Sequence, residues 1–217
     1  MAGENGRAVA IAGATGLVGR ALLEGLLVDR SVAQVHALGR RPVPTRHAKL
    51  TSHVVDFATL QTLPPVDEVY LALGTTIKAA GSQAAFRAVD FDANLAVARA
   101  AVGAGAQRCG LVSAMGANAR SLVFYSRVKG ELEEALGTLP FAGLVIVRPS
   151  LLVGERVALG QPERPGERRG LLLSRLLGPL VPSDYRPVAA SKVARELLTR
   201  VPSASGRVVV PSGAMQA

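Results

Sequence analysis

The chain holds one cysteine, no tryptophan, three tyrosines and five phenylalanines in 217 residues. A lone Cys109 excludes an internal disulfide and a thiolate metal centre, and its apolar, strand-like neighbours mark it as a buried structural residue. With aromatics this scarce, the core has to be built from alanine, valine and leucine. Hydrophobic residues reach 49% of the chain, enough for a compact fold and too many for a disordered one. The three histidines, His36, His47 and His53, match no metal-ligand spacing, so no metal is expected. Long hydrophobic runs are also missing. The most apolar region, Ala88 to Ala106, is interrupted by Asp90, Asp92 and Arg99, which falls short of the roughly 18 apolar residues a membrane span needs. The opening MAGENGR leads into a strand-length run rather than a secretory signal. Together these absences predict a soluble cytoplasmic protein with no membrane partner.

Negative charge is the other shortage, with 25 Lys and Arg against 16 Asp and Glu for a net charge of +9. The excess is mostly arginine and is scattered along the chain. Its densest group, Arg156, Arg164, Arg168 and Arg169, lies in a Pro/Gly-rich stretch without interleaved aromatics. That pattern gives general attraction to anions rather than a dedicated nucleic-acid site.

What the chain does have begins at Ala8. A buried-strand run, Ala8–Ala12, leads directly into glycines at 13, 16 and 19 and then into a helix-period pattern over Leu17–Val28, with Val18, Leu22 and Leu26 on one face. In this strand–turn–helix setting the glycines read as a dinucleotide site. Gly13 makes the turn off the strand, Gly16 admits a pyrophosphate, and Gly19 lets helix and strand touch. Thr15, Leu17 and Val18 complete the loop, whose helix-start N–H groups face the phosphates. A purely structural glycine turn is the alternative.

Strands and helices then alternate. Gln34–Leu38 is a second strand, ending in Gly39-Arg40-Arg41-Pro42. A carboxylate at this position would suit the ribose hydroxyls of NAD. Two guanidinium groups stand there instead and suit a 2′-phosphate, so NADP(H) is favoured over NAD(H). Two solvated turn arginines are the competing reading. His53–Asp56 is a third strand, and Asp56 and Phe57 at its end either meet the adenine or cap the next segment. Glu68–Leu73 is a fourth strand, carrying Leu73, Gly74 and Thr75 to the sheet edge where ligands bind in such folds. A long helix is expected over Gln83–Gly103, with Phe86, Val89, Leu95 and Val97 in the core. Arg108–Ala114 delivers Ser113 to the same edge, Phe124–Leu136 is a helix, and Gly143–Val147 is a sixth strand followed by Arg148-Pro149-Ser150. From Val153 to Gly170 glycine, proline, arginine and glutamate dominate. Helices at Leu171–Leu177 and Ser191–Arg200 and a strand at Arg207–Val210 close the chain. The expected architecture is α/β, a Rossmann-like doubly wound parallel sheet with a small C-terminal substrate-binding region. Residues 1–217 form one nucleotide-binding domain in this reading, with 153–190 as a substrate-binding lid.

Tyr125 and Lys129 stand four residues apart, one turn along a helix face. A phenol near its ordinary pKa is a poor acid–base group at neutral pH, and a neighbouring ammonium favours the phenolate. A serine hydroxyl such as Ser113 can polarise a carbonyl oxygen.

GATGLVG, Ser113, YSRVK and the VRPS of 147–150 resemble the short-chain dehydrogenase/reductase superfamily, of its atypical or extended sort. LGTT at 73–76, SAMGAN at 113–118 and YSRVKGELE at 125–133 resemble its Tat-interacting-protein branch. The resemblance implies a Rossmann fold, a nicotinamide cofactor, and Ser113, Tyr125 and Lys129 as catalytic residues. It also implies cofactor contacts from Gly13, Thr15, Gly16, Leu17, Val18, Gly19, Arg40, Arg41, Asp56, Phe57, Leu73, Gly74, Thr75, Lys129 and Arg148. Two departures stand out. Many members carry an asparagine early in the fourth helix, where this chain has Val89-Asp90, and the second serine after the fifth strand is Ala114. Two functions fit: an NADP(H)-dependent oxidoreductase of a small carbonyl or alcohol, or a non-catalytic NADP(H) sensor or interaction module. An epimerase or dehydratase using the cofactor transiently is a further enzyme class. A small-molecule substrate is the expected partner, with a homodimer left open.

Overall fold

The structure is a computed structural model that describes residues 6–153 and 182–216. Its centre is β1 (Arg7–Ala12), whose last four residues are buried. Beside it lie β2 (Val32–Gly39) and β4 (Glu68–Leu71), and beyond them β3 (Leu50–Val54), β5 (Arg108–Val112), β6 (Gly143–Arg148) and β9 (Gly206–Pro211). All seven pair in parallel, in the order β3-β2-β1-β4-β5-β6-β9. β4 is buried at every position and β6 at five of six, the near-continuous burial of strands covered on both faces. The edge strands β3 and β9 are mostly exposed or half-buried.

Two helical layers cover the sheet. On one face α1 (Leu17–Val28) and α6 (Ala190–Arg200) pack together. Leu22, Leu26, Val193 and Leu197 press there against Val9, Ile11, Val145 and Val147. On the other face α4 (Asn94–Gly103) and α5 (Phe124–Gly137) lay Val97, Ala101, Leu132 and Leu136 on Ala10, Ala12, Leu111 and Ile146. Leucines of this kind contribute about 1.5–3 kcal/mol each when fully buried. The doubly wound parallel sheet is therefore as expected.

Some boundaries move. β3 pairs with β2 from Val35↔Leu50 to Gly39↔Val54, so the strand begins before His53 and ends before Asp56. The expected helix over Gln83–Gly103 is three pieces: α3 (Gln83–Arg87), a π-helical turn (Ala88–Ala93) and α4. A short α2 (Ile77–Ala80) precedes them. The wider π turn brings Asp90 fully inside and leaves Val89, an expected core residue, half-buried. A small pair, β7 (Leu152–Val153) with β8 (Val188–Ala189), and a 3-10 turn at Ser183–Tyr185 flank the sheet. The expected Leu171–Leu177 helix and nearly all of the Val153–Gly170 stretch lie outside the described residues.

The strand order reverses between β2 and β4 on either side of β1. The carboxyl ends of β1 and β4 thus flank the crevice where ligands bind in open α/β sheets.

Candidate active site

Two glycines shape the crevice floor through close approach. Gly13 has φ +89°, and a Cβ there would lie 2.4 Å from the Ala72 carbonyl oxygen. A Cβ on Gly19 would lie 2.0 Å from the Gly13 carbonyl oxygen, so α1 can start against β1 only with hydrogen at that position. α1 has Gly16 as its N-cap, no side chain capping it and no acidic residue in its first turn. The N–H groups around Leu17 and Val18 are thus left for an anion, at the positive end of the helix dipole. Thr15 borders a cavity of about 210 Å³ with Ala14, Arg20 and the 43–45 segment.

Arg40 and Arg41 follow β2 and are exposed, with no carboxylate partner among the described residues. Asp56 is exposed too, and its Oδ1 accepts the Ala58 N–H at 3.0 Å, the turn-capping alternative. Phe57 packs on the apolar core beneath. On the far side of β1, Leu73, Gly74 and Thr75 leave the end of β4. The Thr75 N–H donates to Asp90 Oδ2 at 2.8 Å, and the Leu73 carbonyl accepts Asn94 Nδ2 at 3.2 Å.

α5 carries Tyr125, Lys129 and Glu133 at four-residue intervals along one face. Tyr125 is half-buried, its ring 5.4 Å from that of Phe86. One turn on, Lys129 is buried, with Nζ 2.7 Å from Asp90 Oδ1. Another turn on is Glu133, also buried. Its carboxylate receives Arg148 through Nε at 3.0 Å and Nη2 at 2.6 Å, Arg207 Nη2 at 3.3 Å and the Ser113 hydroxyl at 2.5 Å. The hydrogen bond to Glu133, with its negative charge, holds the Arg148 guanidinium above its ordinary pKa against the opposing effect of burial.

Two of the expected site residues are engaged within the protein. Ser113 donates its hydroxyl hydrogen to Glu133. Arg148 forms a fork with the same carboxylate. Both follow from the cost of burying a carboxylate, which has to collect donors and counter-charges around it.

Sequence reasoning missed Glu133, Asn94 and the contact between Asp90 and Lys129. Glu133 carried a signal, since it continues the four-residue spacing of Tyr125 and Lys129. Asn94 reaches the carbonyls of Leu73, Val89 and Asp90, filling backbone needs created by the π turn, which no spacing announces. His36 Nδ1 and His53 Nε2 stand 3.0 Å apart across β2 and β3. Burial and the neighbouring His53 hold the His36 pKa below its ordinary value. Among the described residues no group of three or more His, Cys, Asp or Glu side chains is arranged to hold a metal.

Among solved structures the chain resembles MoeE5 in complex with UDP-glucose and NAD, with TM-score 0.69 and 19% identity over 94% of this chain and 76% of that one. It resembles WbmG of Bordetella bronchiseptica in complex with NAD, with TM-score 0.69 and 18% identity over 98% and 75%. The oxidoreductase ylbE from Lactococcus lactis gives TM-score 0.63 and 18% identity over 96% and 94%. At these identities the likeness is one of fold. The fold these structures share with the chain is the Rossmann-like doubly wound parallel sheet. No protein-family model matches the chain. Its sequence is 36% identical over 180 residues to "Protein fmp52, mitochondrial" of Emericella nidulans, covering 78% of this chain and 76% of that one. The Aspergillus fumigatus protein of the same name is 39% identical over 169 residues, covering 73% and 70%. The chain belongs to the Fmp52 family. The narrower likeness to the Tat-interacting-protein branch rests on its three motifs alone. The relatives' names overturn the cytoplasmic expectation, since they are mitochondrial. The expectation rested on composition and on the search for one kind of targeting segment, and neither distinguishes one compartment from another.

Proposed function

We propose that this protein is an NADP(H)-dependent oxidoreductase of a small carbonyl or alcohol, with Tyr125 as its proton-transferring group. The observation that carries the reading is convergence. The unclaimed start of α1, the small-residue turn Leu73–Thr75 and the Tyr125–Lys129 row of α5 all border the carboxyl edge of one sheet. The site fits the cofactor class. Gly13, Gly16 and Gly19 leave backbone open to a pyrophosphate, Gly74 leaves room beside Lys129, and Arg40 and Arg41 offer charge to a 2′-phosphate. The structures solved with NAD, MoeE5 and WbmG, and the protein called an oxidoreductase, ylbE, support it by analogy of fold.

When bound, the nicotinamide supplies or accepts a hydride. Tyr125 gives the phenolic proton to the carbonyl oxygen in reduction and takes it back in oxidation. Lys129 lies one turn below on the same face of α5, its charge met by Asp90. Phe86 packs against the Tyr125 ring, fixing it and excluding water from one face. The relatives' names point to mitochondria as the setting.

A second reading, a sensor that binds NADP(H) without turnover, is favoured by one observation: the hydroxyl of Ser113 and the ammonium of Lys129 both already have partners within the protein. Tyr125→Phe separates the two. Purified protein with NADPH and a panel of carbonyl substrates should show turnover that falls about 10²–10⁴-fold in Tyr125→Phe, with NADPH affinity unchanged. Equal turnover in both proteins, or none in either alongside NADPH binding, contradicts the catalytic reading.

A further inference from the structure

Asp90 is fully buried at the crevice edge, and the cofactor reading gives it no task. Its Oδ2 is held by the Thr75 N–H and its Oδ1 lies 2.7 Å from Lys129 Nζ. Oδ1 lacks any well-aligned hydrogen bond, so the contact is one of charge on charge. The π turn creates it: the extra residue in that turn rotates Asp90 inward, and Asn94 secures the turn's carbonyls. A Cβ at Gly74 would come within 3.5 Å of Asp90 Oδ1 and 3.9 Å of Lys129 Nζ, so the pair borders the same turn that faces the crevice.

We propose that Asp90 is a positioning residue. Its carboxylate binds Lys129 directly, cancels the ammonium charge beside Tyr125, and so sets the pH at which the phenol ionises. The inference deepens the reading of Tyr125 as proton donor and rests on it for its catalytic meaning. A lone ammonium one helical turn from a phenol stabilises the phenolate. An ammonium joined to a carboxylate presents a dipole instead of a net charge, and its effect on the phenol is correspondingly weak.

Other charged groups on the elements around this pair are compensated or turned to solvent. On α3, Arg87 pairs with Glu131 and lies over the Phe91 ring. On α5, Arg127 also reaches Glu131, and Glu133 is bound by Arg148 of β6 and Arg207 of β9. Lys78, Asp92, Arg99 and Arg120 are exposed. Among the described residues Asp90 is therefore the carboxylate paired with Lys129.

The test reads the phenol itself and needs neither cofactor nor substrate. The chain has no tryptophan and three tyrosines. Tyr70 is buried with its hydroxyl bonded to Glu68, and burial pushes its ionisation far above the usual range. The exposed Tyr185 is removed as Tyr185→Phe. In that background the phenolate absorption is titrated against pH, with added Tyr125→Phe as the blank. Adding Asp90→Asn with Lys129→Arg, a cation that keeps its proton without a carboxylate partner, is expected to lower the Tyr125 midpoint by about one pH unit or more. Adding Asp90→Asn with Lys129→Met removes the pair without stranding a charge and should leave the midpoint within about 0.3 unit. An unmoved midpoint in the first variant, or a rise of about one unit in the second, overturns the proposal, the latter also where the first does not fold. Because the titration is made without cofactor, its outcome is independent of whether the protein turns over NADPH.

Discussion

Glu133 gathers the guanidiniums of Arg148 and Arg207 and the hydroxyl of Ser113 at the inner face of α5. That grouping changes what a substitution at Ser113 should do. As an oxyanion donor, Ser113→Ala would cost about 10²–10³-fold in turnover. As a donor to a buried carboxylate, it should instead cost stability, about 1.5–3 kcal/mol for a hydrogen bond to a charged group. We therefore expect denaturant unfolding of Ser113→Ala to show that loss, with turnover falling less than about tenfold. A hundredfold loss of turnover at unchanged stability would return Ser113 to the reacting atoms. The same residues show why part of the site was readable. Tyr125 and Lys129 announce a shared helix face by their spacing and a shared chemistry by their types. Glu133 lies on that row too, but spacing does not say that a carboxylate will be buried or who will meet it. Arg148 adjoined a familiar motif, yet its place in space was decided by Glu133, fifteen residues away in the chain.

At the scale of elements, the glycine loop and the π turn mark the two limits of legibility. The start of the first helix was readable to the residue, because a strand run, three spaced glycines and a 3.6-residue apolar period all end or begin there. The structure shows why Gly19 cannot be replaced cheaply, with the Gly13 carbonyl oxygen 2.0 Å from where a Cβ would sit. Gly19→Ala has to push α1 off the loop, so NADPH affinity should fall at least about tenfold and the protein should melt at lower temperature. Affinity and melting temperature equal to the parent's would show that the loop is not the phosphate seat. The π turn was invisible in advance. An alanine-rich stretch with apolar residues at helical intervals reads as one regular helix, and Val89 as its inward residue. The turn is wider than that period assumes, and Asp90 points inward because Lys129 and the Thr75 N–H satisfy its charge.

Over the whole molecule, the parallel sheet was legible because alternation of buried strands and amphipathic helices is repeated along the chain, and the edge strands blurred only at their ends. β3 was misplaced by a few residues since an edge strand, covered on one side alone, lacks a continuous apolar run. The cellular address was not legible, since none of the packing that writes the fold depends on it. The excess of positive charge does bear on function at this scale, at the two exposed arginines beyond β2. Arg40 and Arg41 stand at the adenosine end of the expected cofactor site, on the opposite side of β1 from α5. They therefore test the cofactor assignment without touching Tyr125 or Lys129. The most direct measurement is a binding titration of NADPH and NADH against the parent protein and Arg40→Ala. We expect NADPH to bind at least about tenfold more tightly than NADH, a difference near 1.4 kcal/mol, and Arg40→Ala to erase most of that preference while NADH affinity stays put. Equal affinities in the parent protein, or no binding of either nucleotide, would contradict the account.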